Sequence, residues 1–191
     1  AGSDTMDFSP ISADLTVSAT SAASAQTGVD SLRSIEKIIG GSGNDTIIGS
    51  GAANELSGGR GSDVLDGRGG KDILPGGEGD DVFVFRNIAH SSSGAANRDV
   101  ITDFTQGEDR IDLSIIDANT TISGNQAFTF LASVGAAFTG LAGELNFSFE
   151  DLDGDETDRT IITADVNGDQ VADFSIELTG LIDLTAVDFI L

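Results

Sequence analysis

The chain has 191 residues, with 32 acidic against 9 basic side chains, a formal charge of −23, 25 glycines, one histidine and no cysteine. Without cysteine there is no disulfide, thiolate metal site or cysteine nucleophile, one histidine excludes a multi-histidine zinc site, and the charge argues against nucleic acid, whose phosphates attract cations. Yet 39% of the residues are hydrophobic, too many for a disordered polyanion, so a folded form needs a neutralising partner, for which a hard divalent cation is the natural candidate.

The N-terminus, Ala1-Gly2-Ser3-Asp4, has neither a basic n-region nor an apolar h-region and reads as the start of an excised piece. No apolar run is long enough to cross a bilayer, so no stable membrane insertion is expected. Residues 1–39 place Met6, Phe8, Ile11, Leu15 and Val17 in rough alternation before a Ser/Ala/Thr-rich stretch at 18–28. We read them as irregular leading rungs of the architecture that follows.

From Gly40 the chain repeats with a period of nine: GGSGNDTII (40–48), GSGAANELS (49–57), GGRGSDVLD (58–66), GRGGKDILP (67–75) and GGEGDDVFV (76–84). The sixth position holds Asp45, Asn54, Asp63, Asp72 and Asp81, and the eighth holds Ile47, Leu56, Leu65, Leu74 and Phe83. This is the G-G-x-G-x-D-x-U-x pattern of a calcium-binding parallel β-roll. Glycines permit tight turns and let carbonyls converge on an ion, which nominates Gly41, Gly43, Gly59, Gly61, Gly70, Gly77 and Gly79 beside the carboxylates. The eighth residue points inward from a short strand and fills the core. A flexible Gly/Asp linker would not lock Ile, Leu and Phe to one phase. Stacked carboxylates without a cation would repel one another.

Two units make one coil of 18 residues, so Asp45, Asp63 and Asp81 stack on one side and Asn54 and Asp72 on the other. Counting 18 on from Asp81 reaches Asp99, expected to close the first side. Counting 18 back from Asn54 reaches Glu36, within the degenerate rung 31–39, which could cap the second. About four calcium ions follow from these pairs.

Residues 86–98 read as a polar connection, with His90 an exposed loop residue. Segments 99–104 and 110–113 then suggest two strands joined by a short turn at 106–109. Phe128, Phe130, Phe138, Phe147, Phe149 and Phe174 suit the core of an antiparallel β layer. Two acidic loops are candidate metal sites: one carries Asp151, Asp153 and Asp155, the other Asp165, Asn167, Asp169 and Asp173. The second lacks the closing Glu of an EF-hand, because its twelfth position is Ile176. Both patterns suit hairpin turns somewhat better than metal loops, since Asp and Asn favour such positions without metal. The expected fold is all-β: leading rungs over 1–39, a parallel β-roll with its connection over 40–98, and an antiparallel, sandwich-like cap over 99–191.

These residues carry a resemblance. Segment 36–84 resembles the RTX nonapeptide domain of proteins exported by type I secretion. DVITDFTQGEDRIDL (99–113), FTGLAGELNF (138–147) and DVNGDQVADFSIEL (165–178) are similar to the C-terminal domain of serralysin-type metalloproteases. The ending Asp188-Phe189-Ile190-Leu191 resembles their terminal export motif, an acidic residue plus three apolar ones. The family's H-E-x-x-H zinc motif is absent from the chain.

The resemblance implies a non-catalytic, calcium-binding module of a secreted, extracellular protein of a Gram-negative bacterium. Its partners would be calcium, the type I ABC export machinery and an upstream domain of the same polypeptide. A glycan-binding or adhesin module for alginate-like polymers is the alternative. It would use a stripe of Arg60, Arg68 and Lys71, with Lys37 and Arg33 beside it.

Overall fold

The computed structural model describes residues 3–19, 35–150 and 158–191. Strands β1 (Thr5–Asp7), β2 (Thr16–Ser18), β3 (Lys37–Ile39), β4 (Thr46–Ile48) and β5 (Glu55–Ser57) come first, followed by the turn strand β6 (Gly59–Arg60). Next are β7 (Val64–Asp66), β8 (Ile73–Leu74), the turn strand β9 (Gly77–Glu78), β10 (Val82–Val84), β11 (Asp99–Ile101) and β12 (Arg110–Asp112). The chain ends with β13 (Thr129–Phe130), β14 (Glu144–Glu150), β15 (Arg159–Asp165), β16 (Phe174–Thr179) and β17 (Phe189–Ile190).

From β1 to β12 the strands outside the turns go alternately to two sheets. One sheet runs β1-β3-β5-β8-β11-β16-β15-β14-β13, the other β17-β12-β10-β7-β4-β2, and β6 pairs β9 in a small third sheet along one line of turns. All pairings within the coil are parallel, in registers that stack like on like: Ile47 opposes Leu65, Phe83 opposes both Leu65 and Ile111, and Ile38 opposes Leu56. The nonapeptide phase causes this. A three-residue strand with one inward side chain must repeat its apolar position at the repeat period.

Those inward residues form one core. Ile38, Ile47, Leu56, Leu65, Phe83, Ile101 and Ile111 are all fully buried. Burial of each is worth about 1.5–3 kcal/mol.

Past Asp112 the topology changes. β14, β15 and β16 form an antiparallel meander, and β16 pairs parallel with β11. The C-terminal strands are therefore built onto the roll's own first sheet and do not stand as an independent sandwich. The physical reason is the edge: β11 would otherwise present unpaired backbone groups. β17 performs the same service for β12 in the second sheet. The phenylalanines join the two parts, with Phe85 edge-on to Phe174 at 5.6 Å and Phe130 within 5.0 Å of Phe189 and 5.9 Å of Phe147.

Candidate metal columns along the turns

The sixth-position carboxylates lie where each strand begins, and all are buried: Asp45, Asp63 and Asp81 at 1% exposure, Asp72 and Asp99 at 0%. Each uses one oxygen in the same way, accepting the backbone N–H of its equivalent one rung earlier. Asp63 Oδ1 accepts from Asp45 N at 2.7 Å, and Asp81 Oδ1 from Asp63 N at 2.9 Å. On the other side Asp72 Oδ1 accepts from Asn54 N at 2.7 Å and Asp99 Oδ1 from Asp72 N at 2.8 Å. The sequence expectation for Asp99 is thereby corrected: it joins the Asn54–Asp72 side. The connection after Phe85 puts 27 residues between Asp72 and Asp99, one nonapeptide more than a coil, so the chain re-enters on the opposite sheet.

The first side is closed instead by Asp109, whose Oδ1 accepts from Asp81 N at 2.9 Å and whose Oδ2 accepts from Thr105 N at 2.7 Å. Asp103 braces the same turn, with its carboxylate on Gly76 N and Gly77 N at 2.8 and 3.1 Å. Sequence reading missed both. For Asp109 the available signal was an aspartate two residues before a buried apolar side chain, since Asp109-Arg110-Ile111, like Asp99-Val100-Ile101, copies Asp81-Val82-Phe83. At the head of the second side Glu36 is in phase, accepting Asp4 N at 2.7 Å through Oε2. That side ends on Ser91, a buried hydroxyl that accepts Asp99 N at 2.8 Å and donates to Ser175 O at 2.5 Å.

The second carboxylate oxygen divides the rungs. At the heads it has a protein donor: Asp45 Oδ2 accepts Gly41 N at 2.8 Å, and Asn54 Oδ1 accepts Ser50 N at 2.8 Å. Oδ2 of Asp63, Asp72, Asp81 and Asp99 is buried with no hydrogen-bond partner. An ionised oxygen in that position is costly unless something neutralises it. Burial pushes the carboxyls up, helped by like charges: Asp63 to about 6, Asp72 and Asp81 to about 7, and Asp99 to about 8. Asp109 is raised for the same reason.

Glycine keeps these turns open. A Cβ on Gly58 would lie 2.3 Å from Asp63 Oδ2 and 2.5 Å from Gly76 O, and at Gly77, with φ +110°, a Cβ would lie 2.0 Å from Gly59 O. Buried oxygens without donors, closely set carbonyls and no room for side chains form a donor set that suits a hard cation. Among the described residues no group of three or more His, Cys, Asp or Glu side chains converges on a single point. The arrangement is a ladder of single carboxylates, one per turn, beside backbone carbonyls.

The profile of the family described as Peptidase M10 serralysin C terminal matches residues 1–191. The chain belongs to the serralysin C-terminal family. Relatives of this serralysin-type domain include the metalloprotease AprA of Pseudomonas entomophila, 48% identical over 80% of the chain and 29% of the relative. Metallopeptidase AprA of Pseudomonas marginalis is 43% identical over 94% and 36%, and serralysin of Photorhabdus luminescens is 45% identical over 80% and 31%. The chain thus spans about a third of the length of these curated relatives. The AlgE6R3 subunit of an Azotobacter vinelandii mannuronan C5-epimerase, solved in solution, matches 96% of the chain and 82% of its own with a TM-score of 0.56 at 25% identity. The match is to the C-terminal region of that protease family, whose catalytic domain is not within these residues.

The remaining expected site residues of this serralysin-type domain fall as follows. Asp151, Asp153 and Asp155 lie outside the described residues. In the 165–173 loop the Asp165 carboxylate accepts Asn167 N, Gly168 N and Gln170 N at 2.6–3.1 Å. Asp173 accepts Val166 N at 2.9 Å, Asn167 Oδ1 accepts Asp169 N at 2.8 Å, and Asp169 Oδ1 accepts Val171 N at 2.9 Å. This is the hydrogen-bonded turn between β15 and β16.

The basic stripe is paired in part, with Arg68 exposed. Lys37 pairs with Glu55 at 2.5 Å, Arg60 with Glu78 at 3.2 Å, and Lys71 donates to Ala95 O at 3.2 Å; Arg33 lies outside the described residues. His90 is half-buried, not exposed, with Nδ1 unpartnered, and burial pulls its imidazole down. In the terminal motif Asp188 is fully buried and accepts Thr185 N at 2.7 Å and Gly107 N at 3.2 Å. Phe189 and Ile190 form β17, and Leu191 packs against the core.

Proposed function

We propose that this domain is a calcium-dependent folding module supporting the type I secretion and the stability of a larger extracellular protein, a zinc metalloprotease by kinship. The observation that carries the reading is the buried Oδ2 of Asp63, Asp72, Asp81 and Asp99, each without a partner.

Asp45, Asp63, Asp81 and Asp109 would hold ions along one side, and Asn54, Asp72 and Asp99 along the other, with carbonyls of the turn glycines Gly41, Gly43, Gly59, Gly61, Gly70, Gly77 and Gly79 as further donors. Calcium, when bound, supplies the positive charge that lets these carboxyls ionise while buried. The protein's part is to fix one oxygen of each carboxylate on a neighbouring rung's N–H. The other oxygen is thereby oriented before any ion arrives. Successive pairs number three on the first side and two on the second. In the cytosol, where calcium is scarce, self-repulsion would keep the rungs apart and the chain fit for the type I ABC exporter. Outside a Gram-negative cell, binding free energy becomes folding free energy.

Calorimetric titration of chelated protein with calcium tests this reading. Several ions per chain and a large exothermic folding signal are expected. Absence of calcium binding would overturn it.

A further inference from the structure

Away from the metal columns, the outer face of the meander carries a cleft of about 310 Å³. Its walls are Ile161, Thr163, Val171 and Ala172 from β15 and the following turn, with Ser93 and Arg98 from the connection that folds over them. This is the size range of a small-ligand site.

Arg98 makes the cleft unusual. The residue is 7% exposed, and neither Nε nor Nη1 has a hydrogen-bond partner. Its sole ion-pair neighbour among the described residues is Glu177, with Nε–Oε2 at 3.9 Å. Glu177 is already taken by Arg159, whose Nη1 donates to both of its oxygens at 3.3 Å. One carboxylate is thus shared by two guanidiniums. A guanidinium carries five donors in a planar fork suited to a carboxylate, and leaving a charged group buried and half-satisfied is costly. Glu150 also lines the cleft, opposite Arg159 in the β14–β15 ladder. Two arginines therefore balance two glutamates here, in a chain whose formal charge is −23. That overall charge disfavours polyanions and leaves room for a ligand with one negative group.

We propose that this cleft binds a small organic monocarboxylate, with Arg98 reading the carboxylate and Ile161, Val171 and Ala172 contacting its apolar part. The test titrates the calcium-loaded chain with glucuronate and with N-acetylalanine, against glucose and N-acetylalanine amide as neutral controls, followed by backbone amide NMR shifts. At least one acid perturbs Ser93, Thr163 and Val171 at tens of millimolar, and its neutral counterpart binds at least tenfold more weakly. A response to glucuronate alone identifies a sugar acid, a response to N-acetylalanine alone a peptide-type carboxylate, and a response to both makes the carboxylate the unit recognised. Each of these upholds the site. Arg98→Gln weakens binding tenfold or more. Val171→Trp, at an exposed position that leaves Arg98 intact, blocks the cleft and decides the matter where R98Q does not fold. No shift with either acid, equal binding of the neutral controls, or unchanged binding in V171W overturns the proposal.

Discussion

The roll and the meander share one sheet and use opposite means of stabilising it. In the roll, the strands of the two main sheets are two or three residues long, each places an apolar side chain against the core, and buried aspartates have oxygens without donors. In the meander, β14, β15 and β16 run for six or seven residues and bury Leu145, Phe147, Ile162, Phe174 and Ile176. Its buried polar groups are partnered within the protein: Thr160 Oγ1 donates to Gly180 O at 2.8 Å, Asn146 Nδ2 to Ala136 O at 2.7 Å, and Glu144 accepts from Thr139 at 2.6 Å. One half carries its own stability. Under the proposed function the other makes its stability conditional on a cation.

The sharpest way to break that contrast is to remove calcium and map the loss. With excess chelator near neutral pH, amide hydrogen exchange in β4, β5, β7, β8 and β10 should accelerate by orders of magnitude. Amides in β14–β16 should keep most of their protection. Each site saturated at a hundred times its Kd contributes about 2.7 kcal/mol, so the whole roll responds.

Two substitutions sharpen the contrast further. Phe147→Ala in the meander should cost about 3–5 kcal/mol while calorimetry returns the wild-type ion count. Asp63→Ala, whose carboxylate stands between Asp45 and Asp81, should reduce the ion count by two and leave the exchange of β14–β16 largely unchanged. Asn54→Ala should reduce it by one at most. Equal stoichiometry for D63A and N54A would contradict the column register.

Protonation is a second way to neutralise these buried oxygens. The Asp63, Asp72, Asp81 and Asp99 carboxyls sit at about 6 to 8 in the fold against an ordinary 3.8. The folded state therefore binds more protons between those limits. Stability from this source is complete below about pH 4 and is lost as pH rises through about 6 to 8. Chelated protein should melt higher at about pH 5 than at about pH 8. Calcium should reverse that order, because protons and calcium compete for the same oxygens.

The smallest expected effect is at the C-terminus. Asp188→Ala removes the acceptor of Thr185 N and Gly107 N and should cost about 1–3 kcal/mol in thermal melts with no change in ion number.

The roll was legible because a period of nine fixes both the inward side chain and the turn carboxylate. Ile47, Leu65 and Phe83 stack as their spacing requires. Legibility ended where the period did. The connection after Phe85 adds a nonapeptide's length without its glycines, so counting by 18 put Asp99 on the wrong side and left Asp109 unseen. How the meander attaches to β11 was not readable either. A parallel edge pairing between Val100 and Glu177 leaves no local pattern, because its partners are far apart in the chain and only tertiary packing brings them together. The unpartnered Arg98 was equally invisible, since burial is a property of the fold.

The most direct measurement of the central claim is far-ultraviolet circular dichroism of the chain at neutral pH, taken through a thermal melt in excess calcium and again in excess chelator. A large gain in β signal and a midpoint raised by many degrees with calcium are predicted. Superimposable spectra and identical midpoints would contradict calcium-dependent folding.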